Sequence, residues 1–139
     1  MQKVIYILDA CSLIAFLNME TGAENLLQLF QEARAGVCTI MISVVNLCEV
    51  FYDCLRTKGI ETALRMLEDV KLLPMSICRE IGDELVFEVS RFKVEWKLSL
   101  ADAFAAGLAK LIGGKLVTTD HHEFDPIAKG DSIKVVWLR

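Results

Sequence analysis

The sequence near the amino terminus reads Val4-Ile5-Tyr6-Ile7-Leu8-Asp9-Ala10-Cys11-Ser12, in which five apolar residues run without a break into a carboxylate. A run with β-branched and aromatic members is typical of a strand that is buried on both faces inside a parallel sheet. Asp9 then lies at the carboxyl end of the strand, the edge where ligands bind in open α/β sheets. Ser12 and the apolar residues after it predict a helix cap and the start of a helix. Taken alone, Asp9 is better explained as a cap or a turn residue. A functional role for it depends on whether an apolar strand that runs into an acid recurs later in the chain.

Outward from this stretch, predicted strands and helices alternate along the chain. Further strands are predicted over residues 37–42, 72–77, 116–120 and 133–138. Apolar residues at helical spacing predict helices that end at Gly36, run from Ser43 to Gly59, cover residues 60–70 and about 79–97, and open at Ser99 to end at Gly113. Residues 121–132 are predicted to form a polar loop. The alternation predicts an α/β fold of three layers, with a mainly parallel central sheet between helices on both faces.

Length and composition place the chain among globular domains of ordinary size. Its 139 residues are enough to bury one hydrophobic core, and no linker, repeat or low-complexity segment divides them, so residues 1–139 are predicted to form a single domain. Hydrophobic residues make up 54% of the chain, which fits either a sheet buried on both faces or a surface covered by a partner. The net charge of −4 does not indicate a strongly basic nucleic-acid binder, although acids gathered around metal ions do not repel a phosphate substrate.

The cysteines and the first residues of the chain bear on its compartment. The five cysteines lie in or beside apolar segments without a C-x-x-C pair, the pattern of buried free thiols rather than of disulfides or a zinc site: Cys11, Cys38, Cys48, Cys54 and Cys78. The apolar run after Lys3 is interrupted early by Asp9 and lacks a cleavage region, so no signal peptide is predicted. No segment approaches the length of a membrane span. We therefore expect a cytoplasmic protein without a membrane partner.

Four acids stand out by their surroundings. Asp9 and Asp120 follow buried strands, and Glu49 and Asp102 lie in helices of mostly apolar or small residues. A buried carboxylate is costly unless it is paired or bound to a cation, and no Lys or Arg lies within one helical turn of Glu49 or Asp102. Hard divalent cations prefer oxygen ligands, so Mg²⁺ or Mn²⁺ shared by these acids is a suitable counter-charge. Such ions activate water and stabilise phosphate oxygens, which predicts phosphodiester hydrolysis.

Each of these acids also has a purely structural explanation. Glu49 fits an exposed position on an amphipathic helix, although its neighbours are mainly apolar. The pattern Ser99-x-x-Asp102 resembles a capping box, and because a helix N-terminus favours a carboxylate, capping and metal binding are compatible there. Asp120 is explained equally by a turn. Taken singly, structural roles account for at least two of the four acids.

Four short motifs surround these acids. They are Asp9-Ala10-Cys11-Ser12, then Asn46-Leu47-Cys48-Glu49-Val50, then Ser99-Leu100-Ala101-Asp102-Ala103, and last Thr118-Thr119-Asp120 with Phe124 nearby. In this order, and on these predicted elements, they resemble the PIN-domain nucleases and in particular the toxin ribonucleases of the VapC type. The resemblance covers nearly the whole chain. Each motif alone is weakly specific, whereas their order and placement together are more so.

The resemblance implies a PIN-like α/β/α fold whose catalytic residues and ligands for Mg²⁺ or Mn²⁺ are Asp9, Glu49, Asp102 and Asp120. It implies that neighbouring polar residues support these acids, as Ser12 and Thr118 do by hydrogen bonds in the family's pattern. The full set of supporting residues is Ser12, Asn46, Ser99 and Thr118. The resemblance further implies an RNA substrate, a homodimer, and neutralisation by an antitoxin protein encoded alongside.

The last motif departs from the family's commonest form. Phe124 stands one residue further from Asp120, which puts the local loop geometry in doubt. Glu123 and Asp125 are interpreted as solvated loop acids, although either is chemically able to assist a metal. The adjacent residues His121 and His122 are interpreted as facing solvent, and the predicted chemistry does not require them.

Several functions compete for this pattern. The leading hypothesis is a metal-dependent endoribonuclease that serves as a toxin, and a housekeeping RNA-processing nuclease with the same site is not separated from it by sequence. An inactive PIN-like module that binds RNA or protein is a third hypothesis, against which the presence of all four acids argues. A phosphoacceptor receiver domain also clusters aspartates around Mg²⁺, but that family has an acidic pair after its first strand, whereas Asp9 has no adjacent acid.

Overall fold

The computed structural model describes residues 2–139. Its strands are β1 (Val4–Leu8), β2 (Cys38–Ser43), β3 (Ser76–Cys78), β4 (Lys115–Thr118) and β5 (Lys134–Trp137). Its helices are α1 (Ala10–Leu17), α2 (Ala23–Arg34), α3 (Val44–Lys58), α4 (Ile60–Lys71), α5 (Asp83–Trp96), α6 (Leu100–Ile112) and α7 (His121–Gly130). The alternation of strands and helices that the sequence predicted is therefore confirmed.

The strands form one parallel sheet in the order β3-β2-β1-β4-β5. Strand β1 lies at the centre, where Leu8 is opposite Ile42 of β2 on one side and Val117 of β4 on the other. The chain runs outward from β1 in one direction through β2 and β3, and in the other through β4 and β5. The crevice between β1 and β4 is thus the point at which the strand order reverses, where open α/β sheets bind ligands.

Helices cover both faces of the sheet, as a three-layer fold requires. Ile7 of β1 points into a core built mainly from α5, α6 and α7, whereas Leu8 points into a core built mainly from α1, α2, α3 and α4. Successive residues of a strand face opposite sides, so one strand supplies both cores. Only the carboxyl-terminal half of β1 is fully buried, because Val4 is 39% exposed. The prediction of a strand buried on both faces holds for the half that leads into Asp9.

The prediction of a polar loop over residues 121–132 is wrong, because α7 occupies most of this segment. Asp120 caps the helix, and Phe124 and Ile127, three positions apart, are its fully buried residues. Two apolar positions are too few to produce a helical pattern against the many polar neighbours. Pro126 lies inside the helix, and its ring removes one donor. The segment is helical because its cap and two anchors outweigh its composition.

Two other element boundaries differ from those predicted. The strand expected over residues 72–77 is limited to Ser76–Cys78, and Pro74 precedes it in a bend. Proline cannot donate to the sheet, so the pairing starts only after it. Helix α5 begins at Asp83 rather than near Arg79, following Gly82 at its N-cap position.

The cysteines are free, as predicted, but they are not all buried. Cys38 is buried, Cys48 is exposed, and Cys11, Cys54 and Cys78 are intermediate. Within residues 2–139, no helix is both long enough and apolar enough to span a bilayer.

Candidate active site

The carboxyl ends of β1 and β4 lie side by side and carry the first and the last of the four acids. The strands are parallel neighbours, with Leu8 opposite Val117. Thr118 Oγ1 donates a hydrogen bond to Asp9 Oδ2 and accepts one of 3.0 Å from the amide of Asp120. One buried hydroxyl therefore links the Asp9 carboxylate to the backbone of Asp120.

Asp9 is fully buried and is also the N-cap of α1. Its Oδ1 accepts a hydrogen bond of 2.8 Å from the amide of Ser12, and Ser12 Oγ donates one of 3.0 Å to the Asp9 carbonyl. The prediction that Ser12 caps the helix is wrong, because β1 runs directly into α1 and the acid itself takes the cap position. Both carboxylate oxygens of Asp9 thus accept hydrogen bonds, which fixes the side chain.

Asp102 and Asp120 lie at the amino ends of two other helices. Ser99 caps α6, and its hydroxyl accepts a hydrogen bond of 3.1 Å from the amide of Asp102. Within residues 2–139, the Ser99 amide does not donate the return bond of a capping box to the Asp102 carboxylate. Asp120 caps α7, where its Oδ1 accepts a hydrogen bond of 3.1 Å from the amide of Glu123. Helix amino ends favour negative charge, so backbone amides partly stabilise these carboxylates.

Helix α3 brings Glu49 to the same region, because it packs against both α1 and α6. Asn46 lies one turn before Glu49 and is fully buried. Its Nδ2 donates a hydrogen bond of 3.0 Å to the carbonyl of Ala101, the residue before Asp102. The Asn46 Oδ1 atom is buried and has no hydrogen-bond partner within residues 2–139. Asn46 thus ties the helix of Glu49 to the helix of Asp102 with one amide group and leaves one acceptor unused.

Burial and repulsion between carboxylates raise the pKa values of three of the acids. Burial raises the pKa of Asp9 to about 7, and the charge of Asp102 adds to this although hydrogen bonds oppose it. Burial likewise raises the pKa of Asp102 to about 6, with contributions from the charges of Asp120 and Glu123. The pKa of Glu49 is raised by burial and by the charge of Asp102. Asp102 is therefore the acid whose charge couples to all the others.

Cys11, in the first turn of α1, shows how closely the acids are grouped. Burial raises the pKa of its thiol to about 12, and all four carboxylates contribute to the rise: Asp9, Asp120, Asp102 and Glu49. Within residues 2–139, no Lys, Arg or His forms a salt bridge with any of these four. The fold thus gathers Asp9, Glu49, Asp102 and Asp120 into one group without a basic partner, which we call the carboxylate cluster.

A family model described as the PIN domain matches residues 6–130. The chain belongs to the PIN domain family. The matched region of this PIN domain runs from β1 to the end of α7 and contains the whole carboxylate cluster. No curated protein is similar enough in sequence to match it.

Several solved structures that resemble this PIN domain are described as toxins or toxin–antitoxin complexes. A toxin–antitoxin complex from Klebsiella pneumoniae aligns with 20% identity and a TM-score of 0.71, covering 96% of this chain and 98% of that chain. DNA-bound VapBC from Salmonella typhimurium aligns with 17% identity and a TM-score of 0.75, covering 98% and 99%. A VapC toxin of Mycobacterium tuberculosis, described as cleaving the sarcin-ricin loop, aligns with 13% identity and a TM-score of 0.66, covering 87% and 94%. At such identities the likeness shows a shared fold.

The structure of the PIN domain separates two acids that the sequence analysis treated alike. Glu123 is half-buried in the first turn of α7, and its charge contributes to the raised pKa of Asp102. Asp125 instead meets His121 Nδ1 at 2.9 Å. The interpretation of a solvated loop acid is therefore wrong for Glu123, which borders the cluster. The signal in the sequence was the spacing of Glu123 from Asp120. Once α7 is helical, this spacing brings the Glu123 amide within hydrogen-bond reach of the Asp120 carboxylate that caps the helix.

The residues of the cluster fit a hard divalent cation. Among residues 2–139, no three metal-binding side chains stand close enough to hold an ion as they are placed. The donor chemistry nevertheless suits Mg²⁺ or Mn²⁺, because the available groups are carboxylate oxygens and the unpaired Asn46 Oδ1. Three acids of the carboxylate cluster have raised pKa values and, within residues 2–139, no basic side chain pairs with the cluster. A bound cation is able to compensate the negative charge of these acids. Glu49, Asp102 and Asp120 are half-buried, whereas Asp9 is fully buried.

The raised pKa of Asp9 makes a prediction about stability. The folded protein binds a proton at Asp9 up to about pH 7, whereas the ordinary value of the carboxyl is 3.8. Between these two pKa values the folded state holds more protons than the unfolded state. The contribution of Asp9 to the free energy of unfolding therefore falls as pH rises from the lower value to the higher one, and it stays low above that. In EDTA, we expect the stability of Asp9→Asn, relative to that of the unsubstituted protein, to rise by about 2–4 kcal/mol as pH rises from about 4 to about 8.

Urea unfolding at a series of pH values measures this difference. Asp69→Asn on α4 is the matched control, because Asp69 is exposed and lies outside the carboxylate cluster. The control should follow the unsubstituted protein at every pH. If the curve of Asp9→Asn also ran parallel to that of the unsubstituted protein, Asp9 would not be the buried acid described here.

Proposed function

We propose that this PIN domain is a metal-dependent endoribonuclease that hydrolyses RNA phosphodiester bonds. The observation that carries the proposal is the carboxylate cluster itself. Four acids from three helix amino ends and one helix face are grouped at the switch point of a parallel sheet, and within residues 2–139 no basic side chain forms a salt bridge with them. Such an arrangement costs folding energy, which a purely structural role does not explain.

The acids and the residues that hold them in place have different roles in the proposed reaction. Asp9, Glu49, Asp102 and Asp120 would hold Mg²⁺ or Mn²⁺, which supplies an activated water and stabilises the charge on the phosphate oxygens. Ser12 and Thr118 hold the Asp9 carboxylate from opposite sides, through Oδ1 and Oδ2. Ser99 fixes the first turn of α6 and thereby the backbone of Asp102. These hydrogen bonds limit how far the carboxylates move, so the acids remain in place while substrate binds.

We further propose that the protein is the toxin of a toxin–antitoxin pair and that it acts as a homodimer. The likeness of the whole chain to a Klebsiella pneumoniae toxin–antitoxin complex and to DNA-bound VapBC supports an antitoxin protein as partner. The toxin described as cleaving the sarcin-ricin loop supports RNA as the substrate. The intact set of four acids favours an active enzyme over an inactive binding module.

The proposed activity is tested by incubating labelled total RNA with protein purified without an antitoxin. We expect discrete products with Mn²⁺ or Mg²⁺, none with EDTA, and full recovery when Mn²⁺ is restored in excess. Products that persist in EDTA would contradict the metal dependence. Intact RNA under every condition, with protein folded by circular dichroism, would favour a binding module. Discrete products from one or a few RNAs, together with arrested growth on expression, would favour a toxin over a processing nuclease.

A further inference from the structure

The buried amide of Asn46 joins the two helices that carry Glu49 and Asp102 of the carboxylate cluster. It stands one turn before Glu49 on α3, and its Nδ2 reaches the carbonyl of Ala101, immediately before Asp102 on α6. The side chain has no exposure to solvent. Within residues 2–139, this is the side-chain hydrogen bond that joins α3 to α6, and the two helices also pack against each other.

The orientation of the amide follows from its contact. An amide group that is turned around would present Oδ1 to the Ala101 carbonyl, and two acceptors would face each other. Nδ2 must therefore point to Ala101, which leaves Oδ1 as the atom without a partner. An unpaired buried carbonyl oxygen costs about 1–3 kcal/mol relative to a paired one. The protein thus carries a destabilising acceptor beside its acids, and no contact within residues 2–139 accounts for it.

A hydrated cation offers the hydrogen-bond donors that Asn46 Oδ1 lacks. Mg²⁺ and related ions keep several of their waters when they bind to carboxylates, and each of these waters has protons to donate. Carboxylate oxygens of the cluster compensate the charge of the ion, whereas a neutral carbonyl oxygen accepts from its water without adding further negative charge. Groups that receive hydrogen bonds from the ligand sphere typically change metal affinity about 10–100-fold when removed.

We propose that Asn46 is a positioning residue for the cation site: its Nδ2 holds α3 and α6 in register, and its Oδ1 is an acceptor for a hydrated divalent cation held by the carboxylate cluster. The proposal rests on the metal dependence proposed above and adds a residue whose role is distinct from that of the four acids. It predicts that the two atoms of one amide have separable effects, one on stability and one on metal affinity.

Two substitutions separate these effects. Asn46→Leu has nearly the same shape and removes both atoms; because the Ala101 carbonyl also accepts within helix α6, the loss of Nδ2 is offset by the loss of the unpaired oxygen. We expect its stability in EDTA to equal or exceed that of the unsubstituted protein and its Mn²⁺ affinity to fall about 10–100-fold. Asn46→Asp keeps an acceptor but turns an oxygen toward Ala101, so its stability in EDTA should fall while its Mn²⁺ affinity is retained or increased.

Asn25, which is exposed, serves as a control for the loss of a side-chain hydrogen bond. Its Nδ2 also donates to a backbone carbonyl, that of Leu138 at 2.9 Å, and it lies on α2 outside the carboxylate cluster. Asn25→Leu should lower stability through the lost hydrogen bond and leave Mn²⁺ affinity unchanged. The measurements are Mn²⁺ titration by electron paramagnetic resonance and urea unfolding in EDTA, neither of which depends on RNA cleavage.

The outcomes distinguish this inference from the proposed function. If the unsubstituted protein binds Mn²⁺ and Asn46→Leu binds it equally well, the role of Asn46 is refuted while the metal-dependent nuclease stands. If Asn46→Leu loses stability and affinity together, as a merely structural residue would, the inference is also refuted. If the unsubstituted protein binds no Mn²⁺, both proposals fail.

Discussion

Asp102→Asn is expected to lower the rate of RNA cleavage in Mn²⁺ by about 100- to 1000-fold, because several kcal/mol of charge stabilisation depend on the carboxylates of the cluster. The charge of Asp102 contributes to the raised pKa values of Asp9 and Glu49. The charges of Asp120 and Glu123 in turn contribute to the raised pKa of Asp102. The substitution preserves shape, and the hydrogen bond from the Asp102 amide to Ser99 does not involve the altered atoms. The fold should therefore survive while the activity is lost.

Single-turnover cleavage of a labelled RNA gives the rate directly. Asp125→Asn is the control, since this acid of α7 pairs with His121 rather than with the cluster, and its rate should stay within a few-fold of the starting protein. Asp9→Asn should show a loss as large as that of Asp102→Asn, because Asp9 is the fixed, buried member of the cluster. Normal cleavage by either variant would remove that acid from the proposed chemistry.

Phe124→Ala is expected to produce the largest loss of stability among single substitutions near the site, about 3–5 kcal/mol, because it empties a fully buried aromatic position. Phe124 belongs to the core formed with Ile127 and Leu116, and it anchors the helix whose cap is Asp120. Its amide also donates a hydrogen bond of 3.1 Å to the Asp120 carbonyl, so the anchor and the acid lie on the same turn.

Urea unfolding in EDTA tests this expectation without interference from bound metal. Phe124→Leu should recover most of the loss, because it refills much of the volume. Phe87→Ala on α5 is the control for removal of an aromatic ring, since Phe87 is 64% exposed, and its change should stay within about 0.5 kcal/mol. Equal losses for Phe124→Ala and Phe87→Ala would mean that α7 is not anchored in the core as described.

Much of the fold was predictable from the sequence because its signals are local. The apolar run before Asp9, the serine caps at Ser43 and Ser99, and the glycine after α6 each act within a few residues. They set the order of strands and helices, and the strong right-handed preference of parallel connections leaves few ways to assemble them. Helix α7 escaped prediction because its stability comes from one cap and two buried residues rather than from a repeating pattern.

The candidate site was predictable in its residue types but not in its arrangement. The sequence determined that carboxylates follow two central strands and stand in two apolar helices, and that no nearby basic residue pairs with them along the chain. It therefore determined the chemistry that those groups offer. It also determined the order of motifs by which the family is recognised.

Only the tertiary structure decided which of these groups meet. Thr118 and Asp9 are 109 positions apart in sequence, and Asn46 and Ala101 are 55 apart, yet each pair shares a hydrogen bond. The burial of Asp9, the position of Glu123 beside the carboxylate cluster and the unpaired oxygen of Asn46 all follow from tertiary packing. Local patterns fix backbone conformation, whereas desolvation and contact between distant residues exist only once the chain has closed around them.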